Sequence, residues 1–272
     1  MLSKQQEIIL KSSKEILFGE KQLSFSDHFG KGFSERCIET PWVAMHLRGC
    51  QKLLDIGFTF ASFEYLGLLL AFKQKLGGEL KAADIINPEK VKTRYPKDWL
   101  GSILDVPVYV GDIRYLELPQ NNYYDVVTCV STIEHIGFDE PAKTVSNSAF
   151  ERKHDQKEVN IKRDPDTNRV VLDSIHKILK KKGKILISTP MGKGGPVLLK
   201  DSLGLYCIQW EYNEESWQQI TNHQGYELEE ERFFKLTEEG WLEVPSAKEL
   251  SRQSSYLKPH AEGCALCSLI KK

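Results

Sequence analysis

No stretch of the sequence is apolar for long enough to cross a bilayer: the longest run, around Tyr65–Phe72, falls far short of the ~20 residues a spanning helix needs. The amino terminus, MLSKQQEIILKSSKEILF, lacks the long apolar core and small-residue cleavage site of a secretory signal. Nor is there an excess of one charge. With 37 basic and 38 acidic side chains the formal net charge is −1, which gives the chain no overall pull toward nucleic acid or an anionic membrane. A small-molecule partner is the expectation that remains, with no nucleic acid and no membrane; a homo-oligomer is compatible with it.

Other absences are chemical. Cys264-x-x-Cys267 has no second pair at zinc spacing. Positions i and i+3 of a strand face opposite sides, so this pair is read as two buried thiols. The six cysteines are scattered and mostly sit in apolar runs, which points to reduced side chains and a cytoplasmic location. No complete metal-ligand set is visible, and no metal is assigned. The G-x-G-x-x-G turn of dinucleotide-binding folds is missing too. The run LLDIG is followed by Phe58, Thr59 and Phe60, with Gly57 alone in the turn.

What is present is an alternation of strand-like and helix-like segments in 272 residues, 40% hydrophobic and 28% charged. Strands are expected at 52–57, 79–86, 106–112, 123–131, 184–190, about 226–234 and 263–272. Helices are expected from the Gly57 turn to about Leu76, at about 170–183, and before Gly225. Such alternation implies βαβ crossovers and an α/β, doubly wound, mostly parallel sheet of seven strands. Residues 238–260 read as a loop or helix, and Lys180-Lys181-Lys182 as a basic helix end complementing the dipole. The organisation expected is an N-terminal helical extension over 1–50, placed as a substrate lid, and one domain over 51–272. A polar insertion at 138–169 interrupts that domain.

Four candidate positions follow successive strands. Asp55 and Gly57 close the first, where backbone N–H groups face a ligand. Asp84 ends the second, 27 residues past Gly57, about where nucleotide-binding folds place a ribose-binding carboxylate. Gly111-Asp112-Ile113 follows the third: Asp112 can accept from an adenine amino group while Ile113 packs on the ring. Ser131-Thr132-Ile133-Glu134-His135-Ile136-Gly137 follows the fourth, where a histidine is suited to proton transfer near neutral pH. Taken singly, each is equally compatible with a structural turn, a solvated strand-end acid or a structural histidine.

Together, LLDIG, AADIIN, GDI, YYDVVTCVSTIEHIG and HKILKKKGKILISTP resemble the class I S-adenosylmethionine-dependent methyltransferases over roughly residues 50–236. STIEHIG is the most specific piece. It is similar to a bacterial branch of small-molecule and polysaccharide-associated methyltransferases, in which a segment like SERCIETPW, here with Glu35, Arg36, Glu39, Pro41 and Trp42, precedes the first strand. The resemblance implies a Rossmann-like methyltransferase fold with an antiparallel last strand, and S-adenosylmethionine as cofactor. It implies cofactor contacts at Asp55, Gly57 and Phe58 (methionine end), at Asp84 and Ile85 (ribose), at Gly111, Asp112 and Ile113 (adenine), and at Ser131 beneath the sulfonium. The turn GFTFAS departs from the family, which has further glycine there.

The reaction expected is methyl transfer to an O or N atom of a small molecule, sugar-containing or a secondary metabolite. His135 is the expected catalytic base and Glu134 its support or a substrate contact, with Asp139 second. Tyr206, Trp210, Tyr212 and Trp217 could wall the acceptor pocket, although each alone reads as packing against the sheet. His154 and His176 read as surface residues. Two alternatives stay open: a catalytically inactive methyltransferase-fold binding protein, and a nicotinamide-dependent oxidoreductase, which the missing G-x-G-x-x-G disfavours.

Overall fold

The computed structural model describes residues 2–119, 121–138, 162–200, 206–250 and 262–272. Along the chain the helices are α1 (Lys4–Leu17), α2 (Arg36–His46), α3 (Phe63–Lys75), α4 (Leu100–Leu104), α5 (Thr167–Ile178) and α6 (Glu214–Thr221). The strands are β1 (Lys52–Ile56), β2 (Glu79–Asp84), β3 (Val108–Val110), β4 (Tyr124–Val130) and β5 (Leu179–Pro190), then β6 (Gly195–Lys200), β7 (Tyr206–Glu211), β8 (Tyr226–Thr237), β9 (Gly240–Val244) and β10 (Gly263–Lys271).

The main sheet runs β3-β2-β1-β4-β5-β10-β8-β9, with β3 to β5 parallel and β10 antiparallel to both of its neighbours. Strand order reverses between β1 and β4. That reversal opens a crevice beyond their carboxyl ends, the place where open α/β sheets hold ligands.

Period-2 alternation along the strands builds two apolar layers, one on each face. Leu53, Val126, Leu186, Cys264 and Leu266 point to the layer that includes α2 and α3. Leu54, Val127, Ile185, Ile187 and Cys267 point to the layer that includes α5 and α6. Cys264 and Cys267 thus lie on opposite faces, both buried and free. α1 starts at a capping box, in which the Ser3 hydroxyl accepts from the Gln6 N–H and the Gln6 side chain accepts from the Ser3 N–H. It packs on α2 and α3.

The sheet has eight strands where seven were expected. The eighth, β9, lies in the stretch read as a loop or helix: residues 238–239 turn back after β8, and β9 pairs antiparallel with it. Its outer edge is covered, because Phe29 and Trp241 exchange backbone hydrogen bonds of 3.1 and 2.7 Å and the Trp241 indole N–H donates to the Phe33 carbonyl at 3.0 Å. An exposed edge strand invites pairing with other chains, and the N-terminal segment removes that edge. A separate two-stranded sheet, β6–β7, was also unexpected.

A second correction concerns the lysines. α5 ends at Ile178, so His176 and Lys177 occupy its last turn, while Lys180–Lys182 belong to the start of β5. There Lys180 pairs with Asp125 at 2.5 Å. Among the described residues no helix is long and apolar enough to cross a membrane.

Candidate active site

The corner after β1 is shaped by side chains where glycines would otherwise shape it. Gly57 holds φ +92°, its N–H donates to the Ala83 carbonyl at 3.0 Å, and a Cβ there would overlap the Thr132 side chain. Residues Phe58–Phe60 form one 3₁₀ turn. Phe58 is fully buried in the apolar layer beneath α3, so its backbone is the part that faces the crevice, and Phe60 is half-buried against the same layer. Thr59 N–H donates to Asp84 Oδ2 at 2.8 Å, and its hydroxyl donates to the Ile86 carbonyl at 2.7 Å. The Arg94 guanidinium donates to the carbonyls of Thr59, Phe60 and Ala61, and the Tyr95 hydroxyl donates to Thr59 O at 2.8 Å.

Asp55 is buried, with Oδ1 accepting from Tyr65 Oη at 2.8 Å and Thr128 Oγ1 at 2.6 Å. Its Oδ2 has no partner among the described residues, and burial pushes the carboxyl up to about 7. Asp84 accepts from the backbone N–H of Thr59 and, at 3.1 Å, of Ile86, while burial raises its pKa. A carboxylate offers about four lone-pair sites, so two remain for a diol. Ile85 beside it is 59% exposed, an apolar surface at the rim. Gly111 N–H donates to Asp84 O at 2.8 Å and ties β3 to β2.

Asp112 is gripped by Arg114, which donates from Nε and Nη2 at distances down to 2.7 Å and also reaches Asp164 at 3.2 Å. Ile113 is buried in the layer beneath α5.

Past β4, Ser131 has φ +43°, rare for a residue with a Cβ. Its N–H donates to Ser188 O at 3.1 Å and its hydroxyl to Glu39 Oε1 at 2.7 Å. Ile133–His135 then make a 3₁₀ turn. Glu134 is buried with Oε2 unpaired among the described residues, and burial, strengthened by Glu39, pushes its carboxyl up to about 8. His135 is half-buried at the end of the turn. Asp139 and His154 lie outside the described residues, as does the side chain of Tyr206.

Sequence reasoning missed several of the residues that build this site. Arg163, inside the stretch read as a featureless insertion, donates to the carbonyls of Ile133 and Ile136 at 2.9 Å each and to Tyr212 Oη at 2.9 Å. It therefore sets the shape of the turn bearing Glu134 and His135. The guanidinium also lies 5.5 Å from the ring centre of Trp210 and 5.4 Å from that of Tyr212. Trp217 is core, with its indole N–H on Glu231 at 3.3 Å.

From α2, the fully buried Glu39 accepts from Ser131, from Ser188 Oγ at 2.6 Å and from Arg36. Burial disfavours the Arg36 charge, but Glu39, Glu35, Glu64 and Glu134 together outweigh this and raise its pKa. Burial also raises Glu35. Among the described residues no group of three or more His, Cys, Asp or Glu side chains is placed to hold a metal ion.

No protein-family model matches the chain, and no curated protein is similar to it in sequence. Solved structures are similar in fold. A SAM-dependent methyltransferase from Methanosarcina mazei aligns over 85% of this chain and 97% of its own, with TM-score 0.53 and 12% identity. A protein from Pyrococcus horikoshii OT3 aligns over 94% and 98%, with TM-score 0.52 and 14% identity. A glycopeptide N-methyltransferase complexed with S-adenosyl-L-homocysteine aligns over 95% and 97%, with TM-score 0.51 and 11% identity. The chain has the fold of S-adenosylmethionine-dependent methyltransferases.

Two outcomes follow from this geometry. Gly57→Ala must place a Cβ at positive φ and against Thr132, which should cost about 3 kcal/mol in urea unfolding. Adding Thr132→Ala should recover part of that loss; equal stability of the single variant and the wild type would remove the constraint. The second concerns pH. The folded chain keeps the Glu134 proton to about 8, whereas the unfolded chain releases it near the model-peptide value of about 4.5. The unfolded state then binds fewer protons, so this group's contribution to stability falls as pH rises from 5 to 8. The stability advantage of Glu134→Gln over wild type should grow across that window by a few kcal/mol; a flat difference would show an ordinary carboxyl.

Proposed function

We propose that the chain is an S-adenosylmethionine-dependent methyltransferase acting on an O or N atom of a small molecule, sugar-containing or a secondary metabolite. The observation that carries this reading is the convergence of Gly57, Asp84 and Ser131 on one edge of the sheet, at the β1/β4 reversal of a methyltransferase fold. The residues present fit that cofactor. Asp84 keeps lone pairs for a ribose diol beside the exposed Ile85, and the orphaned Oδ2 of Asp55 suits a positively charged group near the methionine end. Gly57 and the Phe58 backbone line the same end, and Gly111 and Asp112 bound the adenine side. Ile113 supports that side from within the core.

When bound, the cofactor supplies a methyl group on a sulfonium, and its displacement needs alignment more than covalent help. Ser131, fixed by Glu39 and Ser188, sets the floor of the crevice. His135 takes the proton of a hydroxyl acceptor, on a turn that Arg163 holds from behind. α2 closes the crevice from the N-terminal side and acts as its lid. The free thiols of Cys37, Cys50, Cys129, Cys264 and Cys267 agree with a cytoplasmic enzyme.

A second reading, a methyltransferase-fold binding protein without catalysis, draws on the close packing of Thr132 over Gly57.

Calorimetry with S-adenosylhomocysteine tests the proposal. Micromolar binding by the wild type, weakened at least tenfold in Asp84→Ala, is expected, and no binding would overturn it. With an acceptor found by screening extracts against methyl-labelled cofactor, His135→Ala should keep the binding and lose at least about 100-fold in turnover. Undiminished turnover would remove His135 as the base and leave the cofactor site standing.

A further inference from the structure

The turn after β1 has little of its own to hold it. Its internal bond, from the Ala61 N–H to the Phe58 carbonyl, is long at 3.3 Å, and Ser62, at the start of α3, makes no side-chain capping bond. The holding comes from the segment that follows β2. Pro88–Arg94 starts at Asn87, whose side chain accepts from the Glu89 N–H at 2.9 Å, and it is seated by the buried Pro88 and Val91. At its end, Arg94 donates to the carbonyls of Thr59, Phe60 and Ala61, the last two at 3.4 and 3.3 Å. Its guanidinium also lies 5.2 Å from the ring centre of Phe60 and 5.5 Å from that of Phe63.

Burial disfavours the Arg94 charge, and the turn acceptors it meets are neutral carbonyls, so little stability is gained for the desolvation. What it achieves is geometric. The C=O and N–H of a trans peptide share one plane and point opposite ways, so fixing three successive carbonyls fixes the three peptide planes from Thr59 to Ser62. Thr59 itself is bound at every polar group by residues 84–95. Its N–H donates to Asp84, its hydroxyl donates to the Ile86 carbonyl, and its own carbonyl accepts from Arg94 and Tyr95. The carboxylate read as the ribose contact and the turn read as the methionine-end contact are thus held as one unit, with Arg94 as its outer clamp.

We propose that Arg94 is a positioning residue for the cofactor: it holds the Thr59–Ser62 peptides in the arrangement that the methionine end requires, where a glycine-rich turn relies on backbone freedom. This inference deepens the methyltransferase reading and rests on it. The property required is the planar fork rather than the charge, because a lysine ammonium keeps the charge but does not span three carbonyls in a fixed plane. Loss of the fork acts on the methionine end first, since Asp84 keeps its bond from the Ile86 N–H and so its place beside the ribose.

The test uses the full chain as wild type, Arg94→Ala and Arg94→Lys. Calorimetry measures binding of S-adenosylhomocysteine, which has the amino-acid end, and of 5′-methylthioadenosine, which lacks it. Both variants should bind the first about tenfold or more weakly and the second within about threefold of the wild type. Arg94 is half-buried, so its truncation leaves a gap open to solvent. Millimolar guanidinium should therefore restore S-adenosylhomocysteine binding to Arg94→Ala, and methylammonium should not. The proposal is overturned if the variants bind both nucleosides as the wild type does, if the two nucleosides weaken equally, or if guanidinium restores nothing. Should Arg94→Ala not fold, Arg94→Lys decides alone: selective loss of S-adenosylhomocysteine supports the proposal, and any other pattern overturns it. Failure of both nucleosides to bind the wild type is a separate result, which overturns the methyltransferase reading and this inference with it.

Discussion

The carboxylate of Glu39 has no exposed surface, and its two oxygens are shared among Ser131, Ser188 and Arg36. Taking an ionised carboxylate out of water costs several kcal/mol, and only charge-assisted hydrogen bonds with a counter-charge in place offset it. Here those bonds lead to the end of β4, the penultimate part of β5 and α2 itself. The interactions that make the buried charge tolerable therefore also fix the N-terminal helix across the carboxyl edge of the sheet. They hold Ser131 at a positive φ that costs of order 1–3 kcal/mol in a residue other than glycine. The direction in which the chain leaves β4, and so the position of Glu134 and His135, follows from that constraint.

The corner after β1 solves a related problem by different means. A glycine-rich turn approaches a ligand closely because its backbone is permissive. This turn has one glycine, and its remaining residues are fixed from outside: Asp84 takes the Thr59 N–H, while the planar fork of Arg94 spans three successive carbonyls. Phe58, which stands where the family has further glycine, is the anchor, because burying its ring contributes roughly 1.5–3 kcal/mol toward holding the backbone in place. Such a corner is stiffer than a glycine loop, and its shape depends on contacts from β2 and from the segment Pro88–Arg94.

Those dependences explain which parts could be read from the chain. β1, β2, β4, β8 and β10 were legible because period-2 burial on two faces leaves an apolar run, and the opposed faces of Cys264 and Cys267 followed from the same period. β9 was not: GWLEV is short, and its pairing rests on β8 before it and on Phe29, more than two hundred residues away. β6–β7 pairs outside the main sheet and carries no core signal of its own. The lysines after α5 looked like a helix end because charge composition does not reveal where the backbone turns. In the site, the positions of Asp55, Gly57, Asp84 and Ser131 at strand ends were legible, whereas their partners were not. Glu39 lies 92 residues from Ser131 and Arg94 lies 35 from Thr59, and no local pattern encodes such pairs.

Among the described residues, the buried side-chain atoms left unpaired are hydroxyls, one indole N–H and four carboxyl oxygens. A stray hydroxyl is a modest cost, since it can rotate toward any weak acceptor. A carboxyl oxygen has no such freedom and carries the greater desolvation penalty. All four belong to Glu35, Asp55, Glu64 and Glu134, at the carboxyl ends of β1 and β4 or on the helices that meet them; the other buried acids, Asp84, Glu39 and Glu211, have hydrogen-bond partners. A chain optimised for stability alone would hold glutamine or an apolar residue at these positions, at no cost to the fold. Among the described residues, unpaired buried acid therefore lies on the elements around the β1/β4 reversal, and stability given up at such a place is characteristic of a functional site.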